Sequence, residues 1–396
     1  MPSSLIAALT RHLTDTGLVD EHRIPGLLDV LAQVPDPRSR LGRRFALPTL
    51  IVLALVAVLG GARSFAAITQ KTAQLPDQVL QAAGVRRRHG RHRLPAASTL
   101  QRVFYRLDAD QLDAALGRWI AALACDPADQ NPGARLRAVA VDGKSVRGAK
   151  NTDGRQVHLL AALEQEHGLV LAQRAVGEKS NEITGFQPLL ASMDLTGVVI
   201  TADAMQTQSS HARWLIARGA HYVLYTKGNQ PTLHEQVRDY PWQHAPVRHR
   251  ESDTGHGRTE TRTLKILLPA SEIRARFPHV RGIFQMQRTT QRKQGTSTTL
   301  VEAYGVTSLG PLDATAADLA GYIRGQWSIE AIHHVRDTTY DEDRSQVRTG
   351  NAPQAMATLR NTAISLLRLN GWTKIPEANR HLAARPLDAL QLLRLT

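Results

Sequence analysis

Two short apolar runs, LRAVAVDG (136–143) and VVITADA (198–204), each carry an aspartate near the C-terminal end, Asp142 and Asp203, followed at once by a small residue, Gly143 or Ala204. Runs of this kind read as strands, and strand ends are where side chains from different strands converge on one site. A third acid, Glu330, lies in GQWSIEAIHHVRDTTYDED. On a helix, Trp327, Glu330, His334 and Asp337 fall on one face, because residues three, four and seven apart lie above one another. Three carboxylates that meet in space can hold divalent ions. Hard oxygen ligands suit Mg²⁺ or Mn²⁺, and two such ions about 3.5–4 Å apart neutralise the attacking and leaving oxygens of a phosphodiester. In such a site one aspartate can bridge both ions while the other two acids hold one each.

Competing chemistries fail on spacing. Gly143-Lys144-Ser145 resembles the end of a phosphate-binding loop, but position 138 is Ala where a Gly is needed. Position 147 is Arg, which removes a nucleophile elbow around Ser145. No H-E-x-x-H and no G-x-G-x-x-G occurs. A single cysteine, Cys125, excludes internal disulfides and multi-cysteine zinc sites, and it fits a reducing compartment. Lys and Arg number 49 against 35 Asp and Glu, a net charge of +14 that favours a polyanionic partner, nucleic acid before acidic membrane. The N-terminus shows no secretion signal. The apolar run 47–62 is shorter than the roughly 20 residues a span needs, and Pro48 and Gly60-Gly61 bracket it as a buried helix.

The elements that must position the acids divide the chain into four stretches. Residues 1–134 read as helical. Apolar spacing of three and four runs through Leu5, Ala8 and Leu9, then Ile24, Leu27, Leu28 and Leu31. A helix over 98–107 opens at Ser98-Thr99 as its N-cap, and DPADQNPGAR (126–135) has linker composition. Residues 135–228 alternate strands and helices in the order β-β-β-α-β-α-β, with a hairpin at Glu166-His167-Gly168 and a last strand over 221–229, which implies a mixed sheet. Residues 229–310 are rich in Thr, Arg and Gln with short strand-like runs. Residues 311–396 return to helix, the last one starting at Asn351-Ala352-Pro353 and stopping at Asn370-Gly371.

Ordered blocks along almost the whole chain resemble the DDE transposases of bacterial insertion sequences, most of all the H-repeat-associated (Rhs-associated) family. They are VPDPRSRLGRRFALPTLIVLALVAVLGGARSF, AVDGKSVRGAK, VGEKSNEITGFQPLL, VVITADAMQTQ, YVLYTKGNQPTL, GHGRTETRTLKI, and the segment from GQWSIEAIHHVRD to ISLLR. The resemblance implies an α/β, RNase H-like (retroviral-integrase-like) core behind a helical, DNA-binding associated domain, with a β-rich insertion before the helix of the last acid. It implies Asp142, Asp203 and Glu330 as catalytic metal ligands for two Mg²⁺ or Mn²⁺ ions. The reaction would be cleavage at the element's ends and transfer of the freed 3′-hydroxyls to target DNA. It also implies a homodimer in a synaptic complex, in the cytoplasm at a bacterial nucleoid. The chain departs from the broader group's signature: Gln326 stands where Arg is expected, Asp337 where Lys is, and Ala331 where Asn follows the glutamate. Tyr322 and Arg324 sit at shifted spacing. Those departures keep a DNA-binding relic open as an alternative, and a metal-dependent nuclease without strand transfer is a third reading.

DNA contacts are expected from Arg86, Arg87, Arg88, Arg91 and Arg93, five arginines in eight residues read as a phosphate-gripping loop. Arg102 lies on the helix behind them. Lys227 follows a strand beside the proposed site. His256, Arg258 and Arg262 lie in the insertion, Arg324 ahead of Glu330, and Trp327 is placed to stack on a base. Lys144, Lys179, Tyr322, His334 and Asp337 are auxiliary candidates.

Overall fold

The computed structural model describes residues 24–124, 135–150, 154, 156–177, 182–255, 257–292 and 298–395. The periodicity at Leu5, Ala8 and Leu9, Cys125, nearly all of the 126–135 linker, Lys179 and His256 lie outside the described residues.

Helices α1 (Leu27–Ala32), α2 (Leu47–Leu59), α3 (Phe65–Thr72) and α4 (Asp77–Ala82) open the described chain. Every residue of α2 except Pro48 is buried, as an all-apolar helix must be in water. Pro48 lies in its first turn and Gly61 (φ 85°) follows Gly60 at its end. Among the described residues no helix is long and apolar enough to cross a membrane. The basic stretch expected as a loop is a tight hairpin, β1 (Arg87–Arg88) against β2 (Arg91–His92), turned by His89 (φ 51°) and Gly90 (φ 74°). Positive φ at both central residues matches the twist of the flanking strands.

Helix α5 (Ala97–Arg106) starts earlier than expected. Its N-cap is Ala96, and Ser98 and Thr99 lie inside it with no side-chain cap bond formed. Pro95 and extended Ala96 lead the chain in, and burial of Leu100, Val103 and Phe104 supplies the drive that a capping hydroxyl does not. Helix α6 (Ala109–Ala124) follows.

Next come β3 (Ala138–Lys150), β4 (Gln156–Glu164), β5 (Leu169–Val176), α7 (Glu182–Leu190), β6 (Val199–Ala202), α8 (Ser209–Ala217), β7 (His221–Thr226) and α9 (Pro231–Arg238). The chain continues through β8 (Val247–Gly255), β9 (Arg258–Leu267), α10 (Ser271–Arg276), β10 (Gly282–Arg292) and β11 (Thr298–Thr307). One nine-stranded sheet has the order β5-β4-β3-β6-β7-β11-β10-β9-β8. Only β3–β6 and β6–β7 are parallel; the other neighbours are antiparallel. The strands of 229–310 therefore extend the same sheet, joined where β11 pairs with β7.

Two strand ends differ from expectation. β7 stops at Thr226, where its ladder with β11 ends, and Lys227–Gln230 turn away, tied by Asn229 Nδ2 donating to the Ala204 carbonyl at 2.5 Å. Asp142 does not end β3, because the strand runs on to Lys150 paired with β4. What ends beside Asp142 is the parallel ladder: β6 reaches only Ala202, opposite Val141.

Helices α11 (Ala316–Gly325), α12 (Ser328–Tyr340), α13 (Ala352–Leu369), α14 (Ile375–Ala384) and α15 (Asp388–Leu392) complete the fold. A capping box between Thr315 and Asp318 starts α11, and Trp327 is the N-cap of α12 rather than a residue within it. α13 is buried from Ala352 to Leu367. Its buried polar side chains are bonded: Gln354 donates to Asp110, Thr358 to Asp113 and Asn361 to Gln173. A single apolar cluster runs from Leu27 to Leu393, joining the N-terminal helices to the sheet through α13.

Candidate active site

The parallel β3–β6 ladder ends at Val141 and Ala202, so the next residue on each strand, Asp142 and Asp203, stands at the same level of the sheet. Asp203 caps the short 3₁₀ turn Ala204–Gln206, its Oδ1 accepting from the Met205 N–H at 3.1 Å. The junction between α11 and α12 is pinned over this point by Gln326. Its Nε2 donates to the Val141 carbonyl at 3.1 Å, and its Oε1 accepts from Thr201 at 2.5 Å. The residue that departs from the signature thus serves as a buried tie between α12 and both strands. Lys144 makes a second tie, 2.7 Å from Asp337 and 3.4 Å from Asp343. Glu330 lies in the first turn of α12 and is exposed.

The acids act on one another. Burial pushes Asp142 up to about 7, helped by the charges of Asp203, Glu182 and Glu330 and opposed by the Gly143 N–H. Asp203 is raised by burial and by Glu182, and the Gln206 and Met205 backbone and Lys227 oppose this. Asp142, Asp203, Glu182, Glu330 and Lys227 therefore share one electrostatic site. His333 Nδ1 lies 3.7 Å from Asp142 Oδ2. Burial, with Arg336 and Lys144 nearby, holds this imidazole down to about 3, so at neutral pH the contact is between a carboxyl group and a neutral ring, not a salt bridge. His334, the expected imidazole, is exposed.

As placed, Asp142, Asp203 and Glu330 do not bring their oxygens within one 4.8 Å shell. Among the described residues the group that does so is Glu164, Glu166 and His167. That group closes the β4–β5 turn, with buried Glu164 accepting from the N–H groups of Glu166 and His167 at 2.6 and 2.9 Å. Beside the acids a cleft of about 300 Å³ is lined by Gly143, Lys144, Ser145, His158, His333 and Asp337, among others.

The other expected residues are spread around this point. Tyr322 is buried and donates to the Leu136 carbonyl at 3.0 Å, with the Arg135 guanidinium stacked on its ring. On the extended sheet, Arg258 and Arg262 of β9 face Arg292 and Arg288 of β10 in register, so the four share one side. The other side between them carries Thr259, Thr261 and Thr263 against Gln291, Thr289 and Gln287. Arg288 sits 5.5 Å over the Trp327 ring and Arg324 bonds Glu251 at 3.1 Å, so the arginine side turns toward the start of α12. Trp327 is 52% exposed. In the hairpin, Arg87 is bound to Asp77, while Arg86, Arg88, Arg91 and Arg93 are exposed. Arg102 is also exposed and donates to the Ser98 carbonyl.

Sequence reasoning missed Glu182, His158 and His333. A histidine inside the apolar run VHLLAAL and a glutamate at the head of a helix were the available signals, and both also read as ordinary structure.

A family model described as "Transposase DDE domain" matches residues 133–366, and one described as "DDE_Tnp_1-associated" matches 28–120. The chain is 35% identical over 244 residues to "Uncharacterized protein in dhlA 3'region" of Xanthobacter autotrophicus, covering 58% of this chain and 77% of that one. It is 28% identical to "Putative transposase YncI" of Escherichia coli O157:H7, over 87% of this chain and 88% of that one. It is 25% identical to "H repeat-associated putative transposase YhhI" of Escherichia coli (strain K12), over 86% and 90%. Among solved structures, a piggyBac transposase synaptic complex with hairpin DNA aligns over 93% of this chain and 78% of that chain at 10% identity, with a TM-score of 0.40.

Proposed function

This chain belongs to the transposase DDE family, and from that premise we propose that Asp142, Asp203 and Glu330 are the metal-binding catalytic acids of a DNA strand-transfer site. The observation that carries the reading is the paired end of the β3–β6 ladder, which sets two carboxylates side by side under the helix that bears the third. The strand order β5-β4-β3-β6-β7, antiparallel through the first three and parallel through the last, supports an RNase H-like core. The residues fit a divalent cation by donor type. Carboxylate oxygens suit Mg²⁺ or Mn²⁺, and a half-buried Asp142 pushed up to about 7 by burial and by the charges of Asp203, Glu182 and Glu330 calls for positive charge among them. A pair of such ions would neutralise the attacking and leaving oxygens of the scissile phosphodiester.

The rest is done by the protein. Lys227, whose charge acts on Asp203, is available to hold a phosphate of the cleaved strand. Trp327 and the arginine side of β9 and β10 line the approach to Glu330, and the arginine hairpin grips DNA backbone farther away. Lys144 and Gln326 keep α12 seated on the sheet. The freed 3′-hydroxyl then attacks a target phosphodiester in line, with two copies of the chain holding two ends.

Cleavage of DNA carrying the element's terminal inverted repeats should require Mg²⁺ or Mn²⁺ and should fall below detection in Asp142→Ala, Asp203→Ala and Glu330→Ala. Full cleavage by any of the three removes that acid from the mechanism. The gap between the three acids favours a second reading, a relic that grips element ends without cutting them. End-specific binding with no metal-dependent nicking would select it.

A further inference from the structure

We propose that Glu182 is a fourth carboxylate of the acid site and that His158 is the positioning residue that aims it. Glu182 heads α7, yet it is only 3% exposed. A buried carboxylate needs a partner, and its Oε1 lies 2.5 Å from His158 Nε2. Both side chains of this pair are 4% exposed. The other ring nitrogen, Nδ1, lies 2.9 Å from Ser145 Oγ, so the imidazole is fixed at both ends.

Gly143 makes the arrangement possible. A Cβ on that residue would stand 2.5 Å from both Glu182 Oε1 and His158 Nε2. The carboxylate can therefore lie against the backbone of the residue next to Asp142. The charge of Glu182 acts on both Asp142 and Asp203. A buried acid whose charge acts on two others repels them, and the same charge becomes favourable once a divalent cation sits among them. With Oε1 held by His158 and no bond to Oε2 among the described residues, Oε2 is the oxygen to offer an ion. Outer partners that orient a ligating group in this way typically change metal affinity about ten- to hundredfold when removed.

The inference rests on Asp142 and Asp203 being metal ligands, and the test separates the two claims. Mn²⁺ alone is titrated into the full-length protein by calorimetry, with thermal unfolding followed at each Mn²⁺ concentration. Glu182→Gln, close to isosteric, should weaken Mn²⁺ binding by about tenfold or more and reduce the Mn²⁺-dependent rise in Tm. His158→Ala should weaken it about ten- to hundredfold, and His158→Gln, which keeps a donor near Nε2, should recover most of that loss. Wild-type Mn²⁺ affinity in both Glu182→Gln and His158→Ala, with binding abolished in Asp142→Asn, would overturn the inference while leaving the acid site standing. No Mn²⁺ binding by the wild type, or unchanged binding in Asp142→Asn, would overturn both.

Discussion

Glu342 lies wholly buried between two guanidinium groups, bonded to Arg336 Nε at 2.8 Å and Arg360 Nη1 at 2.7 Å. Burial alone would raise its carboxyl, but the two arginines overcome this and hold it near 2, below its ordinary 4.5. A depressed carboxylate contributes stability that is complete above the unfolded pKa and is lost as pH falls through the folded one. Urea unfolding should therefore show stability declining between about pH 4.5 and 2. Glu342→Gln should lose about 3–5 kcal/mol at neutral pH and show a shallower acid decline. Asp113 has the opposite sign. Burial raises it to about 7, so its contribution grows as pH drops from 7 toward 3.8. At this scale Asp142 and Asp203 stand out in the sequence as candidates because each punctuates an apolar run. Glu182 and His158 were not, because what marks them is a bond between α7 and β4, residues 24 apart in sequence. The choice between His333 and His334 turns on how α12 is rotated on the sheet, which a repeat of about 3.6 residues leaves open between neighbours.

The placement of α12 over the strands depends on a few buried polar ties. Lys144 is 8% exposed and serves both Asp337 and Asp343. Lys144→Met keeps the length of the side chain but leaves partly buried Asp337 without its cation and Asp343 with Arg147 alone, 3.6 Å away. It should cost about 1–3 kcal/mol in urea unfolding and speed hydrogen exchange along 329–340 more than along α13. Equal protection in α12 would show that the tie does not hold the helix. The order of strands and helices through 136–226 was readable because periods of about 2 and 3.6 alternate cleanly there. The length of β3 was not. Gly143 with Lys144-Ser145 resembles a turn, whereas the pairing with β4 that carries the strand onward is set by a distant partner. Helices α14 and α15 likewise lie beyond the last stop signal read at Asn370-Gly371.

Across the whole molecule the surplus of positive charge, +14, sets how strongly polyanions are attracted. Replacing Arg86, Arg87, Arg88, Arg91 and Arg93 together should lower the slope of log K against log salt by about 0.9 for each phosphate no longer neutralised. The drop should approach that of four phosphates rather than five, because Arg87 already serves Asp77. Fluorescence anisotropy with labelled duplex measures it, and an unaltered slope would show that the hairpin does not touch phosphate. The helical and sheet-bearing halves were separable in sequence by composition, but not the fact that they share one core. That fusion comes from α13, whose buried polar residues are bonded to α6 and β5. A helix with neither flank in water acts as an axle seized in its bearing. The stretches that carry the basic hairpin and the acids share one apolar core, Val85 and Val141 among its members; if the hairpin grips DNA and the acids cut it, the span between the two is set by the protein's own framework. Such a chain would measure its cutting distance with a rigid ruler.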